Sequence, residues 1–207
     1  GISTTHNNLS VLDADEGLRL AAGKADLAAD MLSMLLAGLP GDRQAIRQAR
    51  DSGERNSLIE RVHRLHGATR YCGVPQLRAA CQRSETLLKQ NDPAAQQALD
   101  ELEAAIERLA SVAQVSALTA AQAEALTPAQ VAGLSSIQLT AMGANNLRTF
   151  SVEDLAAISQ QAIPGLTVSQ ISHMTSSQLQ AITTTQSNYL SPDQIAAVLA
   201  AYQAAGS

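Results

Sequence analysis

Apolar residues in the first half of the chain recur at steps of three and four. Leu58, Val62, Leu65, Thr69 and Cys72 share one side of a segment over residues 54–71, as the 3.6-residue period of an α-helix requires. Leu27, Met31, Leu35 and Leu39, with Met34 beside them, define a face of an earlier segment that begins at Ala25, and Ile46 and Ala49 carry it toward Arg50. Leu77, Ala80, Cys81, Ser84 and Leu88 mark a third helix whose small residues allow close packing. Leu99, Leu102, Ile106 and Leu109 form the seam of a fourth. Turn residues punctuate these segments. Asp13 can cap a short helix through Gly23, and Asp51-Ser52-Gly53 makes a turn. Gly73-Val74-Pro75 sets Pro75 at a first-turn position, and Asn91-Asp92-Pro93 supplies an Asp N-cap with Pro at N1. Residues 1–10 are polar and are expected to be loose, with His6 a disordered bystander. The pattern predicts an all-α fold: an antiparallel four-helix bundle with a short N-terminal helix across one end. About a hundred residues can fold alone on such a core.

From Leu118 the period changes to eight. Leu118, Leu126, Leu134, Met142, Phe150, Ile158, Leu166, Met174, Ile182, Leu190 and Val198 follow one another without exception. Ser or Thr comes next in most repeats, Gln stands three residues later, and a second apolar residue follows the Gln position. Ser/Thr-x-x-Gln is a capping box, and the apolar pair around it is a hydrophobic staple. One continuous helix fits poorly, because eight steps of 100° rotate the stripe by about 80° per repeat. Each octad therefore starts its own short helix. Helices this short are unstable alone, so the octads are expected to stack into a solenoid with exposed terminal repeats. Gly143-Ala144-Asn145-Asn146 lacks the cap and Pro164-Gly165 interrupts another octad, so both are predicted bends. The glutamines read as capping groups, and His173 as an exposed bystander.

Charge divides the chain at the same place. Residues 1–115 hold 13 of the 14 Lys and Arg and 15 of the 19 Asp and Glu. The expected domains are therefore 1–115, a helical bundle, and 116–207, an octapeptide-repeat unit. A net charge of −5, no Trp and one Phe offer neither a basic field nor a stacking platform for nucleic acid. No apolar run reaches the roughly 18 residues of a membrane span. The chain begins Gly-Ile-Ser, and with the abrupt boundary this favours an excised piece fused to a foreign module. A natural spacer or docking arm is the other reading of the octads. Cys72 and Cys81 lie on apolar helical faces and are expected as buried thiols in a reducing compartment.

Candidate chemistry gathers in Arg61 to Gly73, RVHRLHGATRYCG. His63 lies roughly 140° from the middle of its helix's apolar stripe, so its imidazole is expected in solvent. Gly67 sits one turn on, where a helix-interior glycine costs about 1 kcal/mol against Ala. Close approach of another surface is a reason to accept that cost. Arg64, His66 and Arg70 surround the pair with cationic or potentially cationic groups. An exposed His, a Gly one turn later and a basic surround suit an imidazole that carries a phosphoryl group.

His63-x-x-His66-Gly67-Ala68 resembles the active helix of histidine phosphotransfer (HPt) domains, where His-x-x-Lys-Gly and a small residue is the common pattern. LRLAAGKADLAADMLSMLLAGLP over residues 18–40, then RVHRLHGATRYCGVPQL and CQ, resemble the C-terminal HPt domain of GacS/BarA-type hybrid sensor kinases. The resemblance covers about residues 10–113 and departs from the general pattern at His66. It implies one long helix through Pro40, kinked rather than broken. It implies a phosphorelay carrier without turnover of its own. His63 would take a phosphoryl group from a receiver-domain aspartate and pass it to a response-regulator aspartate. His66, Gly67, Arg64 and Arg70 would support phosphate or partner, and Gln82 on the facing helix would orient the imidazole. The implied partners are the receiver domain of the same kinase and that of a response regulator, which would bring the Mg²⁺. No metal or cofactor is expected in the chain itself, and no nucleic acid or membrane contact. The implied location is cytoplasmic.

Two other functions compete. A helical scaffold with an incidental His63 predicts no phosphate uptake from any receiver. A metal-dependent hydrolase using His63 and His66 has the three-residue ligand spacing but no evident third ligand.

Overall fold

The amphipathic segments become five helices in a computed structural model that describes residues 9–206. The chain divides into two units, and the first, Gly1–Ser111, holds four of these helices and most of the fifth. His6 lies outside the described residues. α1, Ala14–Leu20, starts where Asp13 Oδ1 accepts the Glu16 amide at 3.0 Å. It stops short of Gly23 because Ala22 and Gly23 turn to positive φ. α2, Ala25–Asp51, runs on through Pro40 as one helix. α3, Arg55–Thr69, carries the His63 segment, α4 is Pro75–Lys89, and α5 is Ala95–Ser116. Asp92 Oδ1 accepts the Ala94 amide at 2.8 Å, so the chain makes a turn over Pro93 before α5 begins.

The stripes of α3, α4 and α5 are buried together, with Val62, Leu65, Cys81, Leu102 and Leu109 wholly enclosed. The α2 face is only partly as expected. Leu35, Leu39, Ile46 and Ala49 are buried, but Leu27 is exposed and Met34 is 72% exposed. The buried positions of α2 begin at Leu35, so its first turns run ahead of the core. Polar pins join the helices around this core. Arg50 meets Asp100 at 2.8 Å, Arg43 meets Glu103 at 3.3 Å, and Arg83 meets Glu101 at 2.5 Å. Such exposed pairs contribute about 0–1 kcal/mol each. Arg55 caps α4 by donating to the Leu88 and Lys89 carbonyls at 2.6 and 3.1 Å.

The second unit, Val112–Ser207, consists of the octads. Its helices are α6 Ala120–Glu124, α7 Pro128–Ala132, α8 Ser136–Ala141, α9 Ala144–Leu147 and α10 Val152–Ala157. A 3-10 turn follows at Ile163–Gly165, then α11 Val168–Ser172, α12 Ser176–Gln180, α13 Thr184–Ser187 and α14 Pro192–Ala205. Complete capping boxes start α6, α7, α8 and α10 through Thr119, Thr127, Ser135 and Ser151. Thr167, Thr175, Thr183 and Ser191 do the same for α11 to α14. α14 runs longer because Leu199 and Tyr202 stand where the next cap and Gln would be.

Short helices pack on those three octads further along: α6 on α9, α7 on α10, α9 on α11, α10 on α12 and α11 on α14. The residue after the Gln position is buried at Val131, Leu139, Leu147, Leu155, Ile163, Ile171 and Leu179, which fill the resulting core, whereas Ile195 stays exposed. The later glutamines, from Gln170 on, do more than cap. While Oε1 closes the box, the side-chain amide reaches back about four octads. Gln170 donates to the Leu139 carbonyl at 2.8 Å, Gln186 to Leu155 at 2.8 Å and Gln194 to Ile163 at 2.9 Å. Gln178 donates to Arg148 and Phe150 at 2.9 and 3.0 Å. The two irregular octads keep this stacking. Gly143 replaces a cap with φ 76°, yet α9 forms and Asn146 donates to the Leu118 carbonyl at 2.8 Å. At Gly165 a Cβ would stand 2.1 Å from the Ser136 carbonyl oxygen, so glycine allows that turn to press against the start of α8.

Candidate functional site

α3 places His63 outward, as its position opposite Leu58, Val62 and Leu65 requires. Its side chain is 61% exposed. His66, one turn nearer the α4 side, is only 16% exposed. Both rings turn Nδ1 to the same group. The Glu85 carboxylate of α4 lies 2.7 Å from His63 Nδ1 through Oε1 and 3.0 Å from His66 Nδ1 through Oε2. Lys89, one turn further along α4, donates to Oε1 at 2.7 Å.

Glu85 is buried, 7% exposed. Burial alone would push its pKa up, but hydrogen bonds from Lys89, His66 and His63 outweigh this and hold it near 2. The carboxylate is therefore ionised at neutral pH and acts only as an acceptor, so each Nδ1 carries the proton. That leaves Nε2 of His63 as the lone-pair nitrogen on the exposed side of the ring. The two histidines share one tautomer, and exposure is what separates them.

The expected supporting residues fall into place unevenly. A Cβ on Gly67 would meet nothing within 4 Å, so the bundle's own packing does not require glycine there. Arg64 is exposed and lies 4.0 Å from Glu60. Arg70 is the exposed C-cap of α3, without an ion pair among the described residues. Arg61 and Arg64 also act on Asp42 of α2, whose carboxyl is pushed up by burial and drawn back by these two arginines. Gln82 is a correction. It is exposed, on the solvent side of α4, and makes no hydrogen bond among the described residues. Glu85, almost one turn later, holds the imidazole instead, because α4 directs positions 81, 84, 85 and 88 toward the bundle.

Sequence reasoning missed Glu85 and Lys89. Their signal was present: Glu85 is the one carboxylate inside the stripe of Cys81, Ser84 and Leu88, where an unpaired charge is rarely tolerated, and Lys89 lies four residues on. Cys72 and Cys81 are buried free thiols, and burial pushes the Cys81 thiol far up. Among the described residues, no three His, Cys, Asp or Glu are grouped to hold a metal ion. Among the same residues, no helix is long and apolar enough to cross a membrane.

Residues 30–112 match the sequence profile of the Hpt domain. The chain is 74% identical over 109 residues to the sensor histidine kinase GacS of Pseudomonas protegens, across 53% of this chain and 12% of that protein. It is 38% identical over 103 residues to the signal transduction histidine-protein kinase BarA of Escherichia coli K12, across 47% of this chain and 11% of that protein. The crystal structure of an HPt domain from a Shewanella hybrid histidine kinase aligns at 33% identity, covering 53% of this chain and 97% of its own, with a TM-score of 0.48. The chain spans about an eighth of the length of the curated relatives it matches. Residues 30–112 thus form an Hpt domain.

Proposed function

We propose that this Hpt domain is a phosphorelay intermediate, with His63 as the residue that takes and returns the phosphoryl group. The observation that carries this reading is the pairing of an exposed His63 with a buried, ionised Glu85 at 2.7 Å on Nδ1. A carboxylate there fixes the tautomer and raises the basicity of the opposite nitrogen. Nε2 attacks the phosphorus of an aspartyl phosphate on a receiver domain, and the carboxylate oxygen leaves with the bonding pair. The same step in reverse delivers the group to a response-regulator aspartate. Transfer of this kind depends mostly on positioning and charge neutralisation. The receiver supplies the Mg²⁺, while Arg64 and Arg70 present positive charge to its acidic face. The open space above Gly67 admits the receiver's active-site loops.

The test is labelling by a phosphorylated receiver of the same kinase. The label should be lost by His63→Gln with an unchanged circular dichroism spectrum. It should hydrolyse in acid and survive mild base, as a phosphorus–nitrogen bond does. His66→Gln should slow labelling without abolishing it. Full labelling of the His63→Gln protein would move the carrier to another residue. Gly67→Leu should keep the helix and weaken transfer, and intact transfer in that variant would refute the loop-approach argument.

A further inference from the structure

The shared carboxylate has a consequence for the phosphorylated state itself, which rests on His63 being the carrier. We propose that Glu85 keeps the proton on Nδ1 of His63 while Nε2 is phosphorylated, so that the phosphoryl group enters and leaves without proton exchange with solvent.

The electron balance makes this proton decisive. On arrival, the Nε2 lone pair forms the N–P bond while the P–O bond of the acyl phosphate breaks and its pair stays on the aspartate. The ring, still bearing Nδ1–H, becomes a phosphoimidazolium with one positive charge. On departure, the N–P pair returns to the ring and the leaving group is neutral imidazole. Had Nδ1 lost its proton, the leaving group would be imidazolate, a far stronger base that leaves far more slowly. An imidazole ring ordinarily titrates near neutral pH, so in water this proton is lost within the physiological range. A carboxylate 2.7 Å away, itself buried, opposes that loss by favouring the cation.

The surrounding charges set the size of the effect. From α4, Glu85 and Lys89 face the ring system, with Lys89 57% exposed and donating to Oε1 at 2.7 Å. From α3, His66 occupies Oε2 at 3.0 Å. Arg64 on the same helix lies by Glu60, and Asp42 on α2 interacts with Arg64 and Arg61. Among the described residues Glu85 is thus the only anion bonded to the ring, and Lys89 is a cation competing for one of its oxygens. Glu85→Gln leaves Lys89 facing the ring cation with no anion between them. Lys89→Met frees Oε1 for His63 alone. Only the first substitution should release the Nδ1 proton.

The experiment uses the full chain phosphorylated by potassium phosphoramidate, a small-molecule donor that needs no receiver. The ³¹P resonance of phosphorylated His63 is followed from about pH 5.5 to 9.5, close to the range in which free imidazole changes charge. In the unaltered protein and in Lys89→Met, the resonance should stay flat through neutrality. In Glu85→Gln it should titrate near neutral pH. Return of the phosphoryl group to a receiver should be flat with pH in the first two. In Glu85→Gln it should fall about tenfold per pH unit above that midpoint, as single-proton loss requires. An unlabelled His63 would sink the carrier reading and this inference together. A labelled His63 that titrates near neutrality in the unaltered protein, or a Glu85→Gln protein as flat as it, would sink this inference alone.

Discussion

The two units solve the problem of helix stability in opposite ways. In the bundle, α2, α3 and α4 are 27, 15 and 15 residues long, and none has a side-chain hydrogen bond at its N-cap. Their support is the buried stripe. In the octad unit, α6 to α13 are four to six residues long, and every one except α9 begins with a reciprocal capping box. A helix of one turn leaves nearly all its amides and carbonyls without intrahelical partners. Caps and back-reaching glutamine amides supply those partners. Where a helix is long enough to bury a stripe, caps are dispensable; where it is not, they carry the structure.

This contrast can be broken at several points. Leu102→Ala should have the largest effect, because Leu102 is fully buried in the bundle and such truncations cost about 2–5 kcal/mol. Calorimetry should show the bundle's transition falling while that of the octads stays in place. Movement of both together would mean that the units do not fold independently.

Acid should separate the units next. Glu85 is ionised in the folded bundle down to a pKa of about 2, against 4.5 for the free side chain. Its stabilisation is complete above pH 4.5 and is lost as pH falls from 4.5 to 2, since a depressed carboxylate pKa favours the folded state only while the group is ionised. The shift corresponds to on the order of 3 kcal/mol. Urea titrations at pH 5 and pH 2.5 should show that loss in the bundle and a smaller one in Glu85→Gln.

Within the octads, Gln178→Ala and Gln122→Ala sharpen the comparison. Both lose the capping box, but only Gln178 is buried and bonded to the Arg148 and Phe150 carbonyls. Leaving buried carbonyls unpaired costs about 1–3 kcal/mol, so Gln178→Ala should destabilise by about 2 kcal/mol and Gln122→Ala by about 0.5 kcal/mol. Equal losses at the two sites would show that the caps alone matter.

Removal of the chain after Ser116 should have the smallest effect. The rate of phosphoryl transfer to His63 should stay within about twofold, under 0.5 kcal/mol at the transition state. A loss beyond tenfold in stopped-flow transfer would make the octads part of the partner's docking surface.

Much of this organisation is legible in the order of residues, because period is a local property. A 3.6-residue period announces α3, α4 and α5 down to Leu58, Cys81 and Leu109, and an eight-residue period announces the octads down to their capping atoms. The same periodicity puts His63 in solvent with Gly67 beside it. Distance across the fold is not a local property. Nothing adjacent to Glu85 in the sequence says that it meets His63 and His66, which are 22 and 19 residues away. The facing rotation of α3 and α4 decides that Glu85, not Gln82, reaches the imidazoles. Likewise the box Thr175-x-x-Gln178 is readable by eye, but its amide bond to Arg148, 30 residues back, exists only once the short helices have stacked. Backbone periodicity selects which face a residue occupies. Only the packing of one helix on another selects which residue it meets, because that depends on the rotation and register of both.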